Sequence, residues 1–417
     1  MVVQTDTVLH AISDGRLERN HTMKNFIFIS PNFPENYWNF CYHLKQNGLN
    51  VLGIGDCPYD NLTDDLKNSM NEYYKVSSLE NYDEVYKAVA FFIFKYGRID
   101  WLESNNEYWL ERDARLRTDF NINSGFHVED MPQVKYKSRM KENYIKAGVP
   151  VARYHMVDDF ENCRKFIDEV GYPVIVKPDN GVGAAHTYKL KSDEDLKNFL
   201  DTRIDEPYIM EEFITGQVVT FDSITDSKGD TIFETGNVTP NSLMDIVNDG
   251  DNCVFYIRNK VPEKLAEIGR KTLKAFGVKS RFTHFEFFLL TKDQYLGKEG
   301  DIVALEVNMR PSGGISPTMM NYANGTDVYE IWADMIAYDK TDRIKKNSQF
   351  CVFAGRRNGK NFVMSHDDIY RKYGEHIRME GPVAEALSNT MGNYMYIATF
   401  DTEEETNRFV QEVFENH

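Results

Sequence analysis

The chain has 417 residues and a formal net charge of −17. That length suffices for two or three subdomains around a large core, and the acidic balance argues against nucleic acid or an anionic membrane as the main partner. With 41% hydrophobic and 27% charged residues, the composition is that of a soluble globular protein.

Five scattered cysteines, Cys41, Cys57, Cys163, Cys253 and Cys351, are odd in number and lack a CxxC pair. They fit a reduced, cytoplasmic protein better than a disulfide frame or a zinc site. No run of about 18 apolar residues predicts a membrane-spanning helix. Residues 1–22 contain no apolar signal region and read as a polar tail.

In chain order, Phe26–Ser30 is a short apolar run, followed by a helical pattern over Tyr37–Gln46 and a second run over Val51–Gly55. Strand, helix and strand at this spacing make a βαβ unit, and hence a parallel sheet with both faces covered. A helix over Tyr82–Tyr96 and a strand near Ile99–Glu103 continue the pattern, so an open α/β domain is expected over 23–130. It has no GxGxxG turn, which counts against dinucleotide binding. Beyond its last strand, Glu103, Asn105 and Glu107 are either ligands for a substrate ammonium group or caps of the next helix.

A charged helix over Lys137–Ala147 ends at Gly148. An α+β segment follows, with helices Glu161–Val170 and Glu194–Leu200 and strands Val174–Lys177, Tyr188–Leu190 and Tyr208–Glu211. The first of these strands ends in Lys177 and opens into a turn with Gly181, Gly183, Ala184, Ala185 and His186. Small residues let backbone N–H groups approach an anion, and the lysine can reach an α- or β-phosphate. A plain hairpin is the alternative, with His186 as a turn residue. Strand Tyr208–Glu211 empties into Glu211, Glu212, Phe213 and Ile214. Glu211 would accept an adenine amine there while the backbone of Glu212 to Ile214 reads the ring edge; otherwise the two acids are solvated.

The strand His284–Leu290 carries one carboxylate, Glu286, among hydrophobes, and such a group is costly to bury without a cation or hydrogen bonds. Twenty residues on, Asp301–Ser316 reads as a strand ending in Glu306, Val307 and Asn308, then Arg310, then a turn at Gly313 and Gly314. Glu306 and Asn308 are two apart and share a face. A carboxylate, an amide oxygen and a guanidinium suit a magnesium-bound phosphate chain. Helices over Lys264–Phe276 and Asp327–Ala337 cover that sheet, and residues 346–417 are expected to form a small α+β cap, in which Arg356 and Arg357 are either a carboxylate clamp or a basic turn.

Taken in order, Lys137, Lys177, the glycine turn, Glu211 to Gly216, Glu286, and Glu306 to Arg310 resemble the ATP-grasp superfamily, in its carboxylate–amine ligase branch, over about residues 25–400. The resemblance implies an ATP-grasp core over 131–345, with a lid at about 150–212, between the first domain and the cap. It implies ATP bound through Lys137, Lys177, Gly181, Gly183, Glu211, Glu212 and Ile214, and Mg2+ (one or two ions, with Mn2+ as a substitute) on Glu286, Glu306 and Asn308. Arg310 and the Gly313–Gly314 turn would face an acyl phosphate and a substrate carboxylate. His284 is similar to the histidine of amino-acid ligases that contacts the transferred phosphoryl group; its alternative is a strand residue hydrogen-bonded in the sheet.

The implied activity joins a carboxylic acid, with an amino acid as one substrate, to an amine through an acyl phosphate, with small-molecule substrates; homodimers are common among similar ligases. The alternatives are carboxylation like that of biotin carboxylase and a non-catalytic ATP sensor. The chain departs from the family at Gly216-Gln217-Val218, where relatives often have Gly-x-Glu, so Gln217 or Asp222 would have to hold the ribose.

Overall fold

The computed structural model describes residues 23–181, 186–240, 250–344 and 348–417. Strands β1 (Asn25–Ile29), β2 (Asn50–Gly55), β3 (Glu72–Lys75) and β4 (Trp101–Glu103) form a four-stranded sheet in the order β3-β2-β1-β4, with every pair parallel. β1 and β2 are buried at every position, as strands covered on both faces must be. Helices α1 (Trp38–Gln46), α2 (Asp64–Ser69), α3 (Tyr82–Tyr96) and α4 (Leu110–Asp119) accompany them. The expected strands and helices at 26–30, 37–46, 51–55, 82–96 and 99–103 are present, whereas α2, β3 and the bounds of α4 were not expected from the sequence.

After the short helix α5 (Met131–Lys135) and helix α6 (Lys137–Lys146), a second four-stranded sheet is antiparallel. It consists of β5 (Tyr154–Met156), β6 (Val174–Pro178), β7 (Tyr188–Leu190) and β8 (Tyr208–Glu212), in the order β5-β8-β6-β7. Val174, Val176, Tyr208 and Met210 pack on helices α7 (Phe160–Val170) and α8 (Asp193–Thr202). By strand alternation, Ile175, Lys177, Ile209 and Glu211 are left on the opposite face.

The third sheet has nine strands. β9 (Gly216–Thr225), β10 (Thr231–Thr235), β11 (Asn237–Thr239), β12 (Cys253–Ile257), β13 (Arg281–Leu290) and β14 (Ile302–Asn308) are joined by β15 (Phe350–Arg356), β16 (Ile377–Pro382) and β17 (Tyr394–Phe400). The order is β14-β13-β9-β11-β12-β15-β17-β16, with β10 on β9. The segment expected as a separate cap therefore supplies three strands of the same sheet. β15 pairs with β12 over five residues, from Cys253↔Gly355 to Ile257↔Cys351, which satisfies an edge that would otherwise present unpaired N–H and C=O groups.

One face of β9, β13 and β14 is apolar: Phe221, Phe285, Phe287 and Val307 join a large core with Leu265, Ala266 and Leu273 of the helix Glu263–Ala275. That helix comes close enough for a Cβ at Gly269 to collide with the buried Phe221 ring. Alanine usually gains about 1 kcal/mol over glycine inside a helix, whereas overpacking a core costs about 1–3 kcal/mol. Gly269→Ala is therefore expected to lower stability, read as a lower urea midpoint at unchanged slope; a raised midpoint would show that the helix–sheet contact yields.

Candidate active site

The other face of the same three strands is polar, and the register explains it. Asp222 of β9, His284 of β13 and Asn308 of β14 lie in one cross-strand row, and Thr220, Glu286 and Glu306 lie in the next. Two rows two residues apart share a face, so these six side chains converge. Glu286 and Glu306 stand on neighbouring strands, directly opposed in register.

Hydrogen bonds order this face. His284 Nδ1 is 2.7 Å from Asp222 Oδ1 and its Nε2 is 3.0 Å from Glu286 Oε1. Burial alone would pull the imidazole down, but the Asp222 and Glu286 carboxylates outweigh it and lift the ring to about 9. The ring is thus a cation with both nitrogens donating. Asp222 is fully buried and also accepts from the Thr220 hydroxyl, whose oxygen accepts from the Asn237 N–H at 2.8 Å. Asp222 is thereby corrected from a ribose ligand to the partner of His284: it has no exposed surface to offer a sugar.

The two facing carboxylates respond differently. Burial works against ionisation of Glu286, but His284, Arg310 and Lys177 prevail and hold it below its usual range. Glu306 is pushed up, first by burial and further by Glu286, although Lys137 and Lys177 oppose this. Its nearest cation is Lys137 Nζ at 3.5 Å. Asn308 Oδ1 accepts from Arg310 Nη2 at 3.2 Å, and Arg310 Nη1 donates to the Pro311 carbonyl at 2.8 Å. Gly314 has φ +60°, a conformation natural to glycine, and its carbonyl accepts from Asn36 Nδ2 at 3.2 Å.

Across from this face stand the lysines. Lys137 opens α6, and its Nζ donates to the Gly181 carbonyl at 3.0 Å. Gly183 lies outside the described residues; His186 is exposed in a turn with φ +55°. Lys177 Nζ is 2.7 Å from Glu211 Oε2, and Lys141 Nζ is 2.6 Å from Glu211 Oε1. Both Glu211 oxygens are thus already held by ammonium groups, and an incoming adenine amine would have to share them. Burial opposes its ionisation, yet the two lysines bring the carboxyl down to about 2. Glu212 points to the other side of β8, where Arg153 Nη2 approaches it at 2.6 Å. Ile214 packs with Ala152, Leu290 and Val303. Lys141 was not singled out from the sequence; its position four residues after Lys137 places both on one helix face, which was the available signal.

The residues expected to meet a substrate ammonium separate. Glu103 is buried in ion pairs with Arg281 at 2.8 Å and Arg117 at 3.5 Å, which corrects its reading as a substrate ligand. Arg281 Nη1 also donates to the Met309 carbonyl at 2.8 Å, so β4 of the first sheet is tied to the residue beside Arg310. Asn105 is buried, and its carbonyl accepts from the Tyr37 hydroxyl at 2.9 Å. Glu107 stands at the site, 2.7 Å from Lys135 Nζ and 3.6 Å from Arg310 Nε. Arg356 is no carboxylate clamp: it is buried and donates to the Val413 and Met364 carbonyls at 2.8 and 2.9 Å. Arg357 donates to the carbonyls of Asp251 and Asn389.

Residues 135–333 match the family model described as carbamoyl-phosphate synthase L chain, ATP binding domain. The carbamoyl phosphate synthase large chain of Agathobacter rectalis is 24% identical over 200 residues, which are 45% of this chain and 17% of that protein; the chain thus spans about a sixth of that relative's length. Among solved structures, an L-amino acid ligase from Bacillus licheniformis has a TM-score of 0.70 at 13% identity, covering 94% of this chain and 96% of that one. The biotin carboxylase domain of the Hydrogenobacter thermophilus 2-oxoglutarate carboxylase, solved as a dimer with MgADP, ADP and bicarbonate, has a TM-score of 0.66 at 16% identity, covering 95% and 91%.

Two expectations follow from the ion pairs. Glu211 titrates near 2 rather than at the ordinary 4.5, so the stability it contributes is complete above about pH 4.5 and is lost as pH falls towards about 2. Lys141→Met should raise this carboxyl and narrow the difference between urea midpoints at pH 7 and pH 3. Arg281→Met removes one cation from a buried pair and is expected to cost about 3–5 kcal/mol in denaturant unfolding; a cost below ~1 kcal/mol would show that Arg117 alone suffices for Glu103.

Proposed function

From the ATP-grasp domain that residues 135–333 form, we propose that the protein is an ATP-dependent carboxylate–amine ligase that activates an acid as its acyl phosphate and passes it to an amine. The observation that carries this reading is the polar face on which Glu286 and Glu306 are directly opposed, with Asn308 and Arg310 alongside and Lys137 facing them.

That face fits a divalent cation. Two partly buried carboxylates in register repel each other, and Glu306 is already pushed towards protonation by burial and by Glu286. Glu286, Glu306 and the Asn308 amide oxygen are the hard oxygen donors that Mg2+ prefers. Bound there, the ion would neutralise phosphate charge. The chain's own groups do the rest. Lys137 and Lys177 would receive the phosphates, with Lys177 exchanging its pairing to Glu211 for phosphate oxygens. Until then Glu211, itself paired to Lys141, holds Lys177, and the backbone from Glu212 to Ile214 would read the adenine edge. The protonated His284, fixed by Asp222, would steady the phosphoryl oxygens as negative charge moves between acid and ATP.

Arg310 suits the substrate carboxylate, and the N–H groups of the Gly313–Gly314 turn would stabilise the oxyanion when the amine attacks; such a donor is worth about 3 kcal/mol in a barrier. Glu107 lies 3.6 Å from Arg310. An anion and a cation side by side suit the two ends of an amino acid, which supports an amino acid as one substrate.

The experiment is ADP and phosphate release from MgATP against amino acids offered singly and in pairs, with mass detection of products. Turnover that requires a pair, with a product lighter than the two by one water, is the expected result. ADP release with bicarbonate alone would replace this reading by carboxylation. Glu306→Gln is expected to lower turnover by at least about 100-fold without lowering the melting temperature, because it removes a repelling charge; retained turnover would overturn the metal assignment.

A further inference from the structure

Among the described residues, a single group brings three potential metal ligands of the His, Cys and carboxylate kinds together: His155 Nε2, an Asp158 carboxylate oxygen and Cys163 Sγ lie within 4.8 Å of one another. It sits in the second sheet, apart from the polar face of β9, β13 and β14. His155 is in β5, Asp158 is in the loop after it, and Cys163 is in the first turns of α7, so one short stretch of backbone fixes all three. His155 Nε2 is 2.9 Å from Asp158 Oδ1, and Cys163 Sγ is 3.9 Å from the same oxygen.

We propose that His155, Asp158 and Cys163 form a binding site for a divalent ion of the zinc class. Bonds of about 2.0 Å to nitrogen and oxygen and about 2.3 Å to sulfur in a tetrahedral site place neighbouring ligand atoms roughly 3.3–3.6 Å apart. The observed 2.9 and 3.9 Å reach that by movements of a few tenths of an ångström. The ion would take the place of the proton between His155 Nε2 and Asp158 Oδ1, with the imidazole proton on Nδ1. The Cys163 thiol would release its proton to solvent as a sulfur lone pair binds the ion. Burial pushes this thiol up, and the charge of a bound cation reverses that preference. A mixed nitrogen, oxygen and sulfur set favours zinc-like ions over Mg2+, which separates this site from the oxygen donors of Glu286, Glu306 and Asn308.

The surroundings hold the ligands in place, as the outer shell of a metal site does. Asn162 Nδ2 donates to Asp158 Oδ2 at 3.0 Å, and the His155 ring stacks on Phe166 at 6.1 Å. The nearby cation Arg203 is turned to the Asp158 backbone carbonyl, at 3.3 Å. Cys163 is fully buried, while the His155 side chain is 29% exposed; this opens a path for the ion and a place for water as fourth ligand. β5 pairs with β8 in the register Tyr154↔Glu211 and His155↔Met210, so an ion here would pin α7 to the strand beside Glu211.

The test is titration of the full chain with Co2+ in excess Mg2+, read by thiolate-to-cobalt charge-transfer absorption in the near ultraviolet, with a Zn2+-dependent rise in melting temperature as the second readout. One equivalent of absorption is expected, lost in Cys163→Ser and His155→Ala but retained in Cys57→Ser and in Glu306→Gln. Metal-free melting of each variant shows that it folds. No charge-transfer band in the unaltered chain, or a band that survives Cys163→Ser, would overturn the proposal. Neither readout needs turnover, so failure of the ligase reading leaves the result interpretable.

Discussion

Two carboxylates facing each other across antiparallel strands set the terms for the rest of the site. Glu286 and Glu306, both only partly exposed, are costly to ionise together without compensation, and the surrounding residues supply it in an ordered way. His284 takes Glu286 and is itself secured by Asp222 and Thr220. Lys137 stands closest to Glu306 but at 3.5 Å, so Glu306 keeps the less satisfied charge.

The same reasoning extends into the second sheet. Lys137, Lys141 and Lys177 would repel one another, and Glu211 between two of them turns that repulsion into a clamp joining α6 to the sheet. The first sheet is coupled by Arg281, which reaches Glu103 at the end of β4 and the backbone beside Arg310 at once. Positioning of the polar face therefore draws on all three sheets, through charges that are buried and paired.

Much of this was legible in the chain. Alternation at Glu306 and Asn308 placed them on one face, and apolar runs located three of the four strands of the parallel sheet and the lysine-bearing strand; β3, with the polar sequence Glu72–Lys75, gave no such run. What escaped was pairing at long range. Asp222 looked free to meet a sugar because nothing local shows that its strand lies beside His284; 62 residues separate them. Glu103 looked like a ligand because its partner Arg281 is 178 residues away. Residues 346–417 looked like a separate unit because a hydrogen-bonding edge leaves no mark in side-chain pattern. Local periodicity reports faces and ends, whereas strand neighbours come from topology.

The junction of β12 with β15 bears on how the molecule must be made. The family match ends at residue 333, but the sheet that carries Glu286 and Glu306 continues through strands contributed by residues 350–400. During vectorial synthesis, β9 to β14 emerge well before the partner of β12 does. Until that partner arrives, the nascent chain carries an open strand edge suited to pairing with any neighbour. The segment that follows the matched region thus completes its sheet, and a boundary drawn from sequence similarity would cut the sheet it is meant to delimit.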